Sequence, residues 1–69
     1  MENLNYNYDS IMDQLNKVET DNKAHRDAIE QILYGLENEH RVHWIDDDLA
    51  NMGLPSFKTI TEYYHISLY

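Results

Sequence analysis

His40, His43 and Asp47 stand three and four residues apart, a spacing that lines three metal-ligating side chains along one face of a helix. Tetrahedral zinc needs a fourth ligand or an open catalytic position. The chain has no Cys and no His-Glu-x-x-His arrangement, so a surface role is expected for these residues and no metal or cofactor. Ser, His and Asp all occur, but no spacing sets a nucleophile beside a base, and no glycine-rich loop could cradle a phosphate. The chain is therefore not expected to be an enzyme. A fourth kind of chemistry is protonation. His25 recurs at helical spacing with apolar residues, and two imidazolium charges brought together in a dimer core would make assembly sensitive to pH between about 5 and 8.

Charge is the strongest global signal. Thirteen acids against five Lys and Arg give a net charge of −8. Such a chain is repelled by phosphate backbones and anionic membranes and favours cationic partners. Carboxylates at i and i+4 on a helix lie about 6 Å apart, close to the spacing of phosphates along a strand. Asp9 and Asp13, with Glu2 nearby, and the block Asp46, Asp47 and Asp48 could thus imitate a nucleic acid towards a basic protein. The plainer reading of the block is a charged helix start. Aromatic residues supply the second recognition signal, because Tyr and Trp dominate interface hot spots. Trp44 and Phe57 are expected inside a small core, with Tyr63, Tyr64 and Tyr69 at a partner surface.

The elements that position these groups follow from periodicity. Tyr8, Ile11, Leu15, Val18, Asn22, His25, Ile29, Ile32 and Leu36 are separated by strictly alternating threes and fours, the seam of a coiled coil over four heptads. Pairs at i, i+4 run along the outside: Asp13 with Lys17, Glu19 with Lys23, Lys23 with Asp27, Arg26 with Glu30. Asp21 and Arg26 are placed for a salt bridge between two chains. These features predict one long amphipathic helix over 7–39 that pairs with its symmetry mate, with Asn22 fixing a parallel register. The alternative is a hairpin that turns at "TDNK", residues 20–23, where Thr, Asp and Asn are turn and cap residues. The uninterrupted pairs and the absence of Gly and Pro favour the continuous helix. Gly35 weakens its last turns or marks a bend or close packing.

Residues 40–69 form a compact, aromatic-rich unit in the same single domain. "WIDDDLANMGLP" predicts a short helix capped by Asp46, with Leu49 and Met52 inward and Gly53 and Pro55 ending it. A second helix is expected over 56–64, followed by an extended tail. The alternative is a short β-hairpin that pairs "TITEYYHISLY" with "RVHWI". The fold class is therefore mainly α: a long dimerising helix, then a small C-terminal helical unit.

Within that unit, "LANMGLPSFKTITEYY", residues 49–64, resembles the helix-turn-helix superfamily. Leu49, Ala50, Ser56, Thr59 and Ile60 match its pattern of Leu-Ala, five residues, Ser, two residues, Thr and a β-branched residue. The resemblance implies a second helix capped by Ser56 and crossed closely at Ala50, with DNA read in the major groove. Lys58 is the only cation across 55–66 and Glu62 opposes it, so direct nucleic-acid binding is not expected.

Length and composition set the remaining expectations. A 69-residue chain without Cys has neither disulfides nor thiolate metal sites to brace a small core, which favours a homodimer. "MENLNYNYDS" does not read as a signal peptide, and no apolar run spans a bilayer, so a cytoplasmic setting is expected. Together these predict a small acidic binding protein that inhibits or regulates another, basic protein. In size, charge and lack of catalytic motifs it looks like the small accessory proteins of phages and mobile elements, including anti-restriction and anti-CRISPR inhibitors. A dimeric helix-turn-helix regulator and a structural or assembly adaptor are the alternatives.

Overall fold

A computed structural model describes residues 6–69. They form four helices: α1 (Tyr8–Asn16), α2 (Lys23–Glu37), α3 (Val42–Asn51) and α4 (Phe57–Tyr63). The long helix expected over 7–39 is not formed. At about 1.5 Å per residue it would run about 50 Å, whereas the greatest dimension of the molecule is 33 Å.

The break falls at the polar interruption of the seam. Lys17 and Val18 turn α1 off with N–H bonds back to the carbonyls of Gln14 and Leu15. The hydroxyl of Thr20 accepts from the N–H of Asn22. Asn22 itself is extended, and its side chain accepts from the N–H of His25. Asn22 is therefore the N-cap of α2, and its side chain satisfies an N–H that the first turn would leave unpaired. A polar residue in a seam and a cap look alike in sequence. Here the cap wins, because each half of the seam finds its apolar partner within the same chain.

Ile11, Leu15, Ile29, Ile32 and Leu36 are buried, while Tyr8, Val18 and His25 are half-buried and Asn22 is exposed. The heptad pattern thus identified the inward face of two helices and assigned it the wrong partner. α2 packs against α1, α3 and α4 and is the centre of the fold. Its contact with α3 is made at Gly35, where an added Cβ would meet Cγ1 of Ile45 at 2.5 Å and Cδ1 at 2.8 Å.

No strand forms among the described residues. The segment "RVHWI" belongs to α3, which starts four residues before Asp46, because Val42, Ile45 and Leu49 recur at helical spacing and are all buried. Phe57, Ile60 and Thr61 do the same for α4, which Ser56 caps through the N–H of Thr59. Ala50 is exposed and does not bring α4 close to α3; the tight approach is of α2 to α3, at Gly35. α3 ends with Gly53 at φ +71°, and Leu54 and Gly53 return N–H bonds to the carbonyls of Leu49 and Ala50. Glu39 and His65 take the same left-handed position after α2 and α4, although neither is glycine.

The tail crosses back over α1. The side-chain amide of Gln14 holds both backbone groups of Ser67, donating to its carbonyl at 2.9 Å and accepting from its N–H at 2.8 Å. The N–H of Asn7 donates to the carbonyl of Leu68. One side chain thus stands in for a partner strand. No helix among the described residues is long and apolar enough to cross a membrane.

Candidate partner-binding face

The acidic block 46–48 is split by the geometry of α3. Successive residues are 100° apart around the axis, so Asp46 turns with Val42, Ile45 and Leu49 towards the interior. It is half-buried, and its Oδ1 accepts from the N–H of Phe57 at 2.7 Å. Asp46 therefore caps α4 across the interhelical turn, with one carboxylate oxygen committed to the backbone. It does not cap its own helix, whose N-cap is Arg41. Asp47 and Asp48 are exposed. Asp46→Ala is expected to cost about 1–2 kcal/mol in urea unfolding, through loss of a half-buried cap. Asp47→Ala and Asp48→Ala are expected to stay within about 0.5 kcal/mol of the parent.

Trp44 is the largest departure from the expected core. It is 63% exposed, and Met52, also expected inward, is 55% exposed, whereas Phe57 is 3% exposed. Trp44, Asp47, Asp48 and Asn51 are spaced at i, i+3, i+4 and i+7, are all exposed, and form the outward stripe of α3. Beside this stripe lies an open groove of about 540 Å³ lined by His40, Arg41, His43 and Trp44. Tyr34, also exposed, stands edge-on to the ring of His40 at 6.1 Å. A large aromatic side chain thus projects between a basic end and an acidic end of one helix face. No protein-family model, curated protein or solved structure matches the chain. The functional assignment rests on the side chains themselves.

The three tyrosines expected at a partner surface do not form one patch. Tyr63 and Tyr64 surround His25, with ring centres 4.8 and 5.6 Å away, and the hydroxyl of Tyr64 shares a 2.7 Å hydrogen bond with Nδ1 of His25. Tyr64 is half-buried and ties the start of α2 to the end of α4. Tyr63 is 63% exposed at the rim of that cluster. Tyr69 lies against Tyr6, which in turn packs on Phe57. His25 therefore packs against tyrosines of its own chain and does not sit in the seam of a long coiled-coil helix.

The remaining acids are spread over the surface. Asp13 pairs with Lys17 at 3.1 Å and Asp27 with Lys23 at 3.0 Å, both exposed i, i+4 pairs worth at most a few tenths of a kcal/mol. The anticipated pairs of Glu19 with Lys23 and Arg26 with Glu30 are not made, and Asp21 makes no ion pair among the described residues. Asp9 is exposed on α1, and Glu2 lies outside the described residues. His40, His43 and Asp47 do not form a metal-ligand group among the described residues.

The signal for Trp44 was present in the sequence. Starting the helix at Val42 instead of Asp46 puts Val42, Ile45 and Leu49 on one face and Trp44 opposite. Helical phase, not hydrophobicity, decides where its side chain lies.

Proposed function

We propose that the chain is a small acidic binding protein, not an enzyme, that engages and inhibits or regulates a basic protein through the outward face of α3. The observation that carries this reading is the exposed Trp44 directly followed on the same stripe by exposed Asp47 and Asp48. An exposed large aromatic beside charged residues has the composition of an interface anchor with a polar rim. The net charge of −8 selects a cationic partner and speeds its encounter. A basic nucleic-acid-handling protein is the partner class with this chemistry, and inhibition in the manner of phage anti-defence proteins is the corresponding action.

The test is capture from a lysate with immobilised wild-type protein, Trp44→Ala, and the pair Asp47→Asn with Asp48→Asn. The expected result is a protein of basic isoelectric point that is held by the wild type, released by high salt, displaced by added DNA, and lost with either variant. Retention of the same protein by Trp44→Ala would remove this face from the reading. Binding of the pure protein to DNA-cellulose at low salt would instead favour a helix-turn-helix regulator, with Lys58, Thr59 and Tyr63 on the exposed side of α4 as its contacts.

A further inference from the structure

We infer that the outward face of α3 also takes a second copy of this chain, antiparallel to the first, across a two-fold axis at Trp44. The inference rests on α3 being the recognition face, and it arises from the order of charges along it. Arg41, the N-cap, is exposed and forms no ion pair among the described residues. It precedes Trp44 by three residues. Asp47 and Asp48 follow Trp44 by three and four, and both are exposed. One turn of helix, about 4.5–6 Å at 1.5 Å per residue, separates Trp44 from the cation on one side and from the acids on the other.

Reversing such a helix on itself exchanges the two ends. With the Trp44 rings of the two copies together on the axis, Arg41 stands opposite Asp47 and Asp48 of the second copy. Two-fold symmetry repeats the pairing. A parallel arrangement would set acids against acids, so the charges select the antiparallel one. The open groove beside Trp44, lined by His40, Arg41 and His43, leaves space for the second indole. The overall charge of −8 on each copy opposes association, but at physiological salt it is screened beyond about 8 Å, while contacts across the interface are not. One ten-residue helix per copy buries little area, so the pairing is weak and concentration-dependent. Because it covers the same stripe, self-pairing competes with a basic partner: Arg41 of the second copy supplies the cation that the partner would bring.

Sedimentation equilibrium at physiological salt tests this on the full chain. Between about 10 µM and about 1 mM, the range of weak interfaces, the wild-type mass is expected to rise from 8.3 kDa towards twice that value. Trp44→Ala, Arg41→Glu, and the pair Asp47→Lys with Asp48→Lys are each expected to remain monomeric with unchanged helical circular dichroism. Combining Arg41→Glu with both Asp→Lys changes is expected to restore the dimer, which no general loss of folding or charge would do. A wild type that stays monomeric at about 1 mM, or a dimer that survives Trp44→Ala, would overturn the inference. Polylysine added to dilute protein separates this from the reading beneath it. A monomer whose Trp44 fluorescence responds to polylysine keeps the recognition face and loses only self-pairing; silence in both experiments removes both.

Discussion

Gly35→Ala is expected to destabilise the protein by about 1–3 kcal/mol, although Ala is ordinarily the better helix residue by about 1 kcal/mol. Gly35 is buried in α2, and the methyl group would fall 2.5 Å from Cγ1 of Ile45 and 2.8 Å from its Cδ1. Ile45 is only 2% exposed and belongs to the aliphatic core, so its side chain can shift only against other core side chains. α2 and α3 must move apart, or Ile45 must leave its rotamer. Removing the obstructing atoms checks the cause. Ile45→Ala alone is expected to cost about 2–5 kcal/mol as a core truncation, and the double variant to lose less than the sum of the two. Urea unfolding followed by circular dichroism measures all three; a more stable Gly35→Ala would show that the helices are not in contact at this point.

Asn22→Leu carries the second large effect, and its sign separates two architectures. As the N-cap of α2, Asn22 satisfies the N–H of His25, and its side chain is exposed. Leu can neither accept that hydrogen bond nor find apolar surface to cover. A loss of about 1–2 kcal/mol is expected, with Asn22→Ser or Asn22→Asp close to the parent. In a parallel coiled coil the same change would raise stability, because a buried Asn pair would be exchanged for a Leu pair. Thermal unfolding of these three variants distinguishes the cases directly.

The part of the interior contributed by α1 and α2 is largely legible from spacing alone. Ile11, Leu15, Ile29, Ile32 and Leu36 share one apolar stripe in the sequence, and all five are in the core. What spacing did not contain was the chain that covers the stripe. A 3–4 alternation is compatible with a symmetry mate and with a neighbouring helix of the same chain. The deciding residues, Thr20 and Asn22, act through short side-chain bonds to the backbone that leave no periodic trace. The missing Gly and Pro misled for the same reason, since six residues, 17–22, make the connection with caps alone. At the candidate site, Asp47 and Asp48 remain where the charge pattern put them, on an open surface. Asp46 does not, because its role depends on a residue eleven positions away, Phe57, that no local pattern connects to it. Tyr64 is likewise withdrawn by His25, thirty-nine residues distant.

The proposed recognition face stands or falls with Trp44 lying outside the core. Urea unfolding of Trp44→Ala measures this most directly. An exposed anchor is expected to leave stability within about 0.5 kcal/mol of the parent. A loss of about 3–5 kcal/mol, the cost of truncating a buried Trp, would place the ring inside the fold and contradict the proposed face.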